Sequence, residues 1–131
     1  MTYSNFSNIY YMEMINLSIE IFLLLFKALS NKTRLKIVLL LSDKDLCVCE
    51  ITEILQTSQP RVSQHLRVLK DASLVDEKVC GPWRIYAVQK KFLEKTLHAF
   101  LSTTKSPLSE KEELSHYAEV IETIGNSLRS K

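Results

Sequence analysis

Apolar residues recur at helical spacing along most of the chain. The run "MINLSIEIFLLLFKAL" is the most apolar, and its Leu17, Ile21, Leu24 and Leu25 cover more than one helical face. That predicts a helix buried on several sides, partly by its own core and partly by a second subunit, because a domain this small has few fully interior positions. In "SNKTRLKIVLLLS" Asn31 is placed to cap a helix that turns Leu35, Val38 and Leu39 inward. "EITEILQ" predicts a short helix with Ile51, Ile54 and Leu55 on its apolar side, and "TSQPRVSQHLRVLKDASLV" follows at once. There Ser58 is the N-cap and Pro60 suits the first turn, while Val62, Leu66 and Leu69 recur at i, i+4 and i+7. The opposite face is polar, with Gln59, Ser63 and Arg67 four residues apart and Gln64 beside them.

The rhythm then changes. "LVDEKVCGPWRIYAVQ" holds two β-like runs, Leu74 to Val79 and Trp83 to Val88, joined by Cys80, Gly81 and Pro82. Helical spacing returns with Phe92, Leu93, Leu97, Phe100 and Leu101, and again after Pro107 with Leu114, Ala118, Ile121, Ile124 and Leu128. Ser109 and Glu112 form a capping-box pair ahead of that last helix. Residues 1–12 lack a period and are expected to form a flexible arm, residues 13–104 the main domain, and residues 105–131 a C-terminal packing or dimerisation helix.

Composition alters this picture little: 46% hydrophobic and 24% charged residues describe an ordinary globular chain, and two glycines and three prolines favour helices over a hairpin-rich sheet. A membrane span is not expected, since the apolar run is short and contains Asn16, Glu20 and Lys27. Three cysteines, two of them nearly adjacent, do not make a secreted disulfide framework, which places the protein in a reducing compartment, the cytoplasm. A net charge of +2 argues nothing alone. Its distribution is more telling, with four basic and no acidic residues from Lys27 to Lys36, and an acidic segment after Ser109.

A short helix, a polar turn, a second helix with a Gln, Ser, Gln and Arg face, and then a hairpin are together a winged helix-turn-helix. Gln can bond an adenine edge through donor and acceptor, Arg can fork onto guanine, and Ser adapts to either. The candidate DNA-contacting set on the recognition helix is Ser58, Gln59, Pro60, Arg61, Ser63, Gln64, Arg67 and Lys70. On the wing it is Lys78, Arg84 and Tyr86, of which Lys78 and Arg84 near the tip would reach phosphates and position the protein.

Four stretches, "LFKALSNKTRLKIVLLL", "LCVCEI", "SQPRVSQHLRVLKDASLV" and "GPWRIYAV", resemble the ArsR/SmtB family of arsenic- and metal-responsive repressors over roughly residues 22–89. The resemblance implies a homodimeric winged-helix repressor, mainly α with a small β-hairpin wing, whose first and last helices form the dimer interface. It also implies release from double-stranded operator DNA when an inducer docks, with no other cofactor required. In this family "CVC" is the arsenic signature, so Cys47 and Cys49 inherit the role of thiolate ligands for arsenic(III) or antimony(III), ions that soft thiolates select. Positions i and i+2 share a face in extended chain but not in a helix, so both sulfurs reach one ion only where the backbone is extended or unwound. The family's third cysteine is Thr52 here, leaving Cys80 as a possible third ligand. Alternatives of the same fold are a redox or persulfide sensor pairing Cys80 with Cys47 or Cys49, and a zinc or cadmium sensor. His116 and Glu119 have half the spacing of the family's zinc pair, but the partner positions Thr103 and Lys105 are not ligands. His65 is expected to be structural. An enzyme is not expected: six residues after the cysteines stand Glu53, Leu55 and Tyr86, none of them the arginine of a phosphatase-like arsenate reductase.

Overall fold

A computed structural model of the chain describes residues 18–111 and 114–129. The arm expected over residues 1–12 lies outside them. Contacts divide the described residues into two compact units, Ile19–Thr96 and one that begins at Leu97.

The first unit opens with α1, Ser18–Leu29, whose Phe22, Leu25 and Ala28 form one buried stripe while Leu23 and Leu24 stay exposed. Arg34 satisfies the carbonyls at its end, Nε donating to the Ala28 carbonyl at 2.6 Å and Nη2 to that of Lys27 at 3.2 Å. Asn31 caps the next helix, α2, Lys32–Asp43, its Oδ1 accepting from the Arg34 amide at 3.1 Å. The buried residues of α2 are Ile37, Val38 and Leu41. Val38 is as expected, but Leu35 and Leu39 are 43% and 62% exposed, a correction to the inward face. The reason is helical phase. Arg34, which must reach back to α1, lies in the same arc as Ile37, Val38 and Leu41, and about 100° per residue turns Leu35 and Leu39 to the other side.

A two-residue strand, β1, Leu46–Cys47, leads directly into α3, Val48–Leu55. Gln56, at φ 51°, ends α3 in the left-handed region, and the turn delivers Ser58 as the N-cap of α4, Gln59–Asp71. Val62, Leu66 and Leu69 of α4 are fully buried, as their spacing predicts. The helix ends in a Schellman motif: the Leu74 amide donates to the Leu69 carbonyl and the Ser73 amide to that of Lys70, both at 2.9 Å, with Ser73 at φ 62°. The hairpin follows as β2, Val75–Cys80, and β3, Trp83–Val88, with Gly81 at φ +60° in the turn, where glycine avoids a Cβ clash. β3 is central in the order β1-β3-β2, all antiparallel. Leu25, Ile37, Leu41, Ile51, Leu66 and Leu74 knit these elements into one core.

α5, Lys90–Lys105, crosses from the first unit into the second. Its buried Thr96 hydroxyl donates to the Phe92 carbonyl at 2.7 Å and so carries no unmet hydrogen bond. The last helix, α6, spans Ser115–Arg129 and buries none of its residues. It starts later than the Ser109 cap predicts, because Leu108–Glu110 closes a 3₁₀ turn in which the Lys111 amide bonds the Leu108 carbonyl at 3.1 Å. Glu112, the other half of that pair, lies outside the described residues. Among the described residues no helix is long and apolar enough to cross a membrane.

Candidate nucleic-acid interface and thiol pocket

Strand register sorts the functional residues. Cys47 pairs with Ile85, Lys78 with Ile85 and Cys80 with Trp83, so these side chains share one face of the sheet. Leu46 and Glu77 pair with Tyr86, and Val79 with Arg84, on the opposite face. One short sheet thus presents different chemistry on its two sides.

The Tyr86 side closes a cleft of about 550 Å³ against α4, lined by Gln59, Ser63, Arg67, Lys70, Glu77 and Arg84 among others. Gln59, Ser63, Gln64 and Arg67 are exposed, as the polar face of α4 requires, and so are Ser58, Pro60 and Arg61 at its N-terminus. Ser58 is the N-cap by backbone geometry, yet its side chain makes no capping bond. Lys78 is exposed on the sheet face away from the cleft. Tyr86, only 8% exposed, forms part of the cleft's wall. Burial pushes its phenol pKa up, with the Glu77 carboxylate adding to the rise.

Sequence inspection overlooked Glu77. Its carboxylate accepts from Lys70 Nζ at 3.0 Å and pairs with Arg84 Nη1 at 3.3 Å, so one acid ties the recognition helix to the wing. The hydrogen bond from Lys70 holds the Glu77 carboxyl below the usual range, and the same bond raises the Lys70 ammonium. Alternation along the hairpin was the available signal, since residues 77, 84 and 86 share a face once the register is set. His65 is structural, as expected: it is half-buried with Nδ1 3.5 Å from Arg34 Nη1, and desolvation followed by the Arg34 and Arg61 charges lowers its pKa.

On the other side, Cys47, Cys49, Glu50, Glu53, Trp83 and Ile85 line a pocket of about 340 Å³. Cys47 is the N-cap of α3 in extended conformation, φ −82° and ψ 164°, and Cys49 sits in the first helical turn. This is the break in helical geometry that lets an i, i+2 pair face one space. A capping box holds it: the Cys47 amide donates to Glu50 Oε1 at 3.1 Å, and the Cys47 sulfur accepts from the Glu50 amide. Cys47 is buried and Cys49 exposed, both as free thiols. Burial pushes the Cys47 thiol pKa up, opposed by the Glu50 amide and reinforced by its carboxylate. The Glu50 carboxyl is lowered, first by the Cys47 amide.

Thr52, at the position of the family's third cysteine, has a buried hydroxyl with no hydrogen-bond partner and does not line the pocket. Cys80 lies two strands from Cys47 and two residues along, which puts their Cα atoms about 12 Å apart. That exceeds the reach of a disulfide. Among the described residues no group of three or more His, Cys, Asp and Glu could hold a metal ion, and His116 packs its ring on Tyr117 at 3.9 Å.

The family described as "Bacterial regulatory protein, arsR family" matches residues 31–77, from the cap of α2 into the wing. The arsenical resistance operon repressor of Escherichia coli is 46% identical over 63 residues, 47% of this chain and 54% of its own length. The chain therefore spans about half of that relative. The arsenic resistance transcriptional regulator ArsR2 of Pseudomonas putida is 35% identical over 80 residues, covering 60% of this chain and 69% of that protein. A cadmium resistance transcriptional regulatory protein CadC homolog of Staphylococcus aureus is 36% identical over 78 residues, 58% of this chain and 64% of its own. Among solved structures, reduced HlyU of Vibrio cholerae superposes with a TM-score of 0.54 at 30% identity, covering 63% of this chain and 84% of that one. The three curated relatives are named as repressor or transcriptional regulators, and the residues 31–77 that the family matches contain α3 and α4. The chain belongs to the arsR family of bacterial regulatory proteins.

Proposed function

We propose that the protein is a homodimeric, operator-binding transcriptional repressor that leaves DNA when a thiophilic inducer, trivalent arsenic or antimony, is bound by Cys47 and Cys49. One observation carries the reading: β3 is a wall shared by the DNA cleft and the thiol pocket, with Arg84 and Tyr86 turned to one and Trp83 and Ile85 to the other. An ion drawing the two sulfurs together works on the Cys47–Ile85 pairing and on the start of α3, and either shift moves Arg84 relative to α4. The ligand shifts the equilibrium only by its greater affinity for the released state. Lys70, Lys78 and Arg84 neutralise phosphates, while Gln59, Ser63, Gln64 and Arg67 meet base edges in the major groove. Two copies related by a two-fold axis read an inverted repeat.

Titration of the operator complex tests the proposal. Arsenite or antimonite releases the DNA from wild type, Cys47→Ser or Cys49→Ser abolishes release with DNA affinity nearly unchanged, and Cys80→Ser behaves like wild type. Release that survives both of the first two substitutions refutes the assignment. A second reading, a cadmium or zinc sensor, draws support from the cadmium-resistance relative. Release by cadmium but not by arsenite selects it.

A further inference from the structure

The basic run from Lys27 to Lys36 lies outside the DNA cleft and mostly outside the thiol pocket's surroundings, yet Arg34 in it reaches the recognition helix. Arg34 commits Nε and Nη2 to the carbonyls that end α1 and turns Nη1 to His65 Nδ1 at 3.5 Å. A guanidinium only donates, so Nδ1 accepts and the neutral ring carries its proton on Nε2. Among the described residues that Nε2–H has no partner. Arg61 is exposed one turn before His65, at the separation of about 5–6 Å between Cβ atoms that any i, i+4 pair has. Desolvation and then the charges of Arg34 and Arg61 lower the pKa of His65, and no carboxylate enters that balance. Two guanidiniums and a spare ring donor thus gather at the junction of α2 and α4 with no acid to neutralise them.

Helical phase sets what these groups meet. At about 100° per residue, Arg61 and His65 lie about half a turn round α4 from Gln59, Ser63 and Arg67, with Gln64 midway and opposite the buried Val62, Leu66 and Leu69. A helix with its side chains is about 10–12 Å across and the major groove about 12 Å wide, so a helix that sets Gln64 on base edges has a sugar-phosphate backbone along each flank. On the flank of Gln59 and Arg67, the cleft supplies Lys70 and Arg84. We propose that the opposite flank is a second phosphate site, in which Arg61 and His65 Nε2–H hold a phosphodiester of the other strand and Arg34 fixes the histidine ring for it. This rests on the operator-binding reading and adds to it a contact outside both the cleft and the wing. The ligand is recognised by its negative charge and acceptor oxygens, which the guanidiniums and the ring N–H match and no adjacent carboxylate opposes.

The test uses the full-length protein and a duplex selected for binding from random sequence. Single phosphates are replaced in turn by uncharged methylphosphonate, and affinity is read by fluorescence anisotropy. In wild type, replacement should weaken binding at two clusters of positions per half-site, one on each strand across the major groove, each by about tenfold, the size of one charge-assisted hydrogen bond. Arg61→Gln should remove the cluster on the strand away from the wing and leave the wing-side cluster as it is. His65→Asn, which keeps an acceptor for Arg34 but lacks the reach of Nε2, should do the same. Arg61→Gln should also lower the slope of log affinity against log salt by about one per half-site. Arg61→Lys, and His65→Gln, whose amide nitrogen reaches the place of Nε2, should restore the far-strand cluster. A far-strand cluster that is absent in wild type, or that persists unchanged in either Arg61→Gln or His65→Asn, overturns the inference. Variants that weaken every duplex alike without altering the pattern also overturn it, since His65 is then a packing group alone. If selection yields no duplex bound more tightly than random sequence, the operator-binding reading falls and this contact with it.

Discussion

Cys47 shows how one residue's surroundings set its chemistry. Burial raises its thiol pKa above the ordinary value of 9.0, so it is protonated at neutral pH. A divalent ion must expel that proton, and cadmium affinity should rise about tenfold per pH unit from this thiol alone. Arsenous acid releases hydroxide to meet the proton, so its binding should stay flat near neutrality. Titrations at pH 6, 7 and 8 separate the two behaviours, and a steep arsenite slope would contradict binding by exchange of arsenic-bound hydroxide for thiolate. Glu77 yields a second prediction. Its lowered carboxyl pKa means that its contribution to stability is present above the ordinary carboxylate value of 4.5 and is lost as pH falls through the depressed one. At neutral pH it also sets a negative charge between Lys70 and Arg84, whose side chains are 50% and 69% exposed. Glu77→Gln should therefore cost only about 0.2–1 kcal/mol in stability, since exposed partners are screened. It should tighten binding to random DNA and blunt discrimination between operator and random sequence, because the wing is no longer tied to α4. Anisotropy against salt concentration on both DNAs measures this, and an unchanged ratio would remove Glu77 from the interface.

At the scale of elements, the end of α4 is the informative case. The Schellman turn needs a left-handed residue at its C′ position, and Ser73 fills it at φ 62° where glycine has no steric cost. Ser73→Gly should stabilise the protein by about 0.5–1 kcal/mol, read as a rise in melting temperature with no change in operator affinity. A loss of stability would mean that the serine side chain makes a contribution the turn geometry does not reveal. The helices themselves were legible from spacing because a long amphipathic run has one periodicity. α2 was the exception: "LKIVLLL" is apolar at nearly every position, so its phase is undetermined until Arg34 anchors it to the carbonyls of α1.

For the whole molecule, the unused apolar surface dictates the prediction. α6 buries none of its residues, yet Tyr117, Val120, Ile121, Ile124 and Leu128 form a continuous stripe on it, and Leu23 and Leu24 of α1 are likewise exposed. Such surface is costly in water and supports the proposed dimer. Ile121→Glu should weaken self-association at least tenfold in sedimentation and lower operator affinity with it, because each half-site then binds alone. A variant that remains dimeric would relocate the interface.

Periodicity and residue chemistry, which are local properties, determined by themselves the order of the helices, the recognition helix with Val62, Leu66 and Leu69 inward, and the hairpin that follows. Local spacing also marked Cys47 and Cys49 as a pair. Only the tertiary structure decided what surrounds them. That Cys47 is extended and buried follows from the pairing of β1 with β3, a contact between residues nearly forty positions apart that no window of sequence contains. The same pairing put Tyr86 into the wall of the cleft and set Trp83 beside the thiols, while the β2–β3 register brought Glu77 between two cations, because strand register assigns each side chain a face and register is a relation between segments.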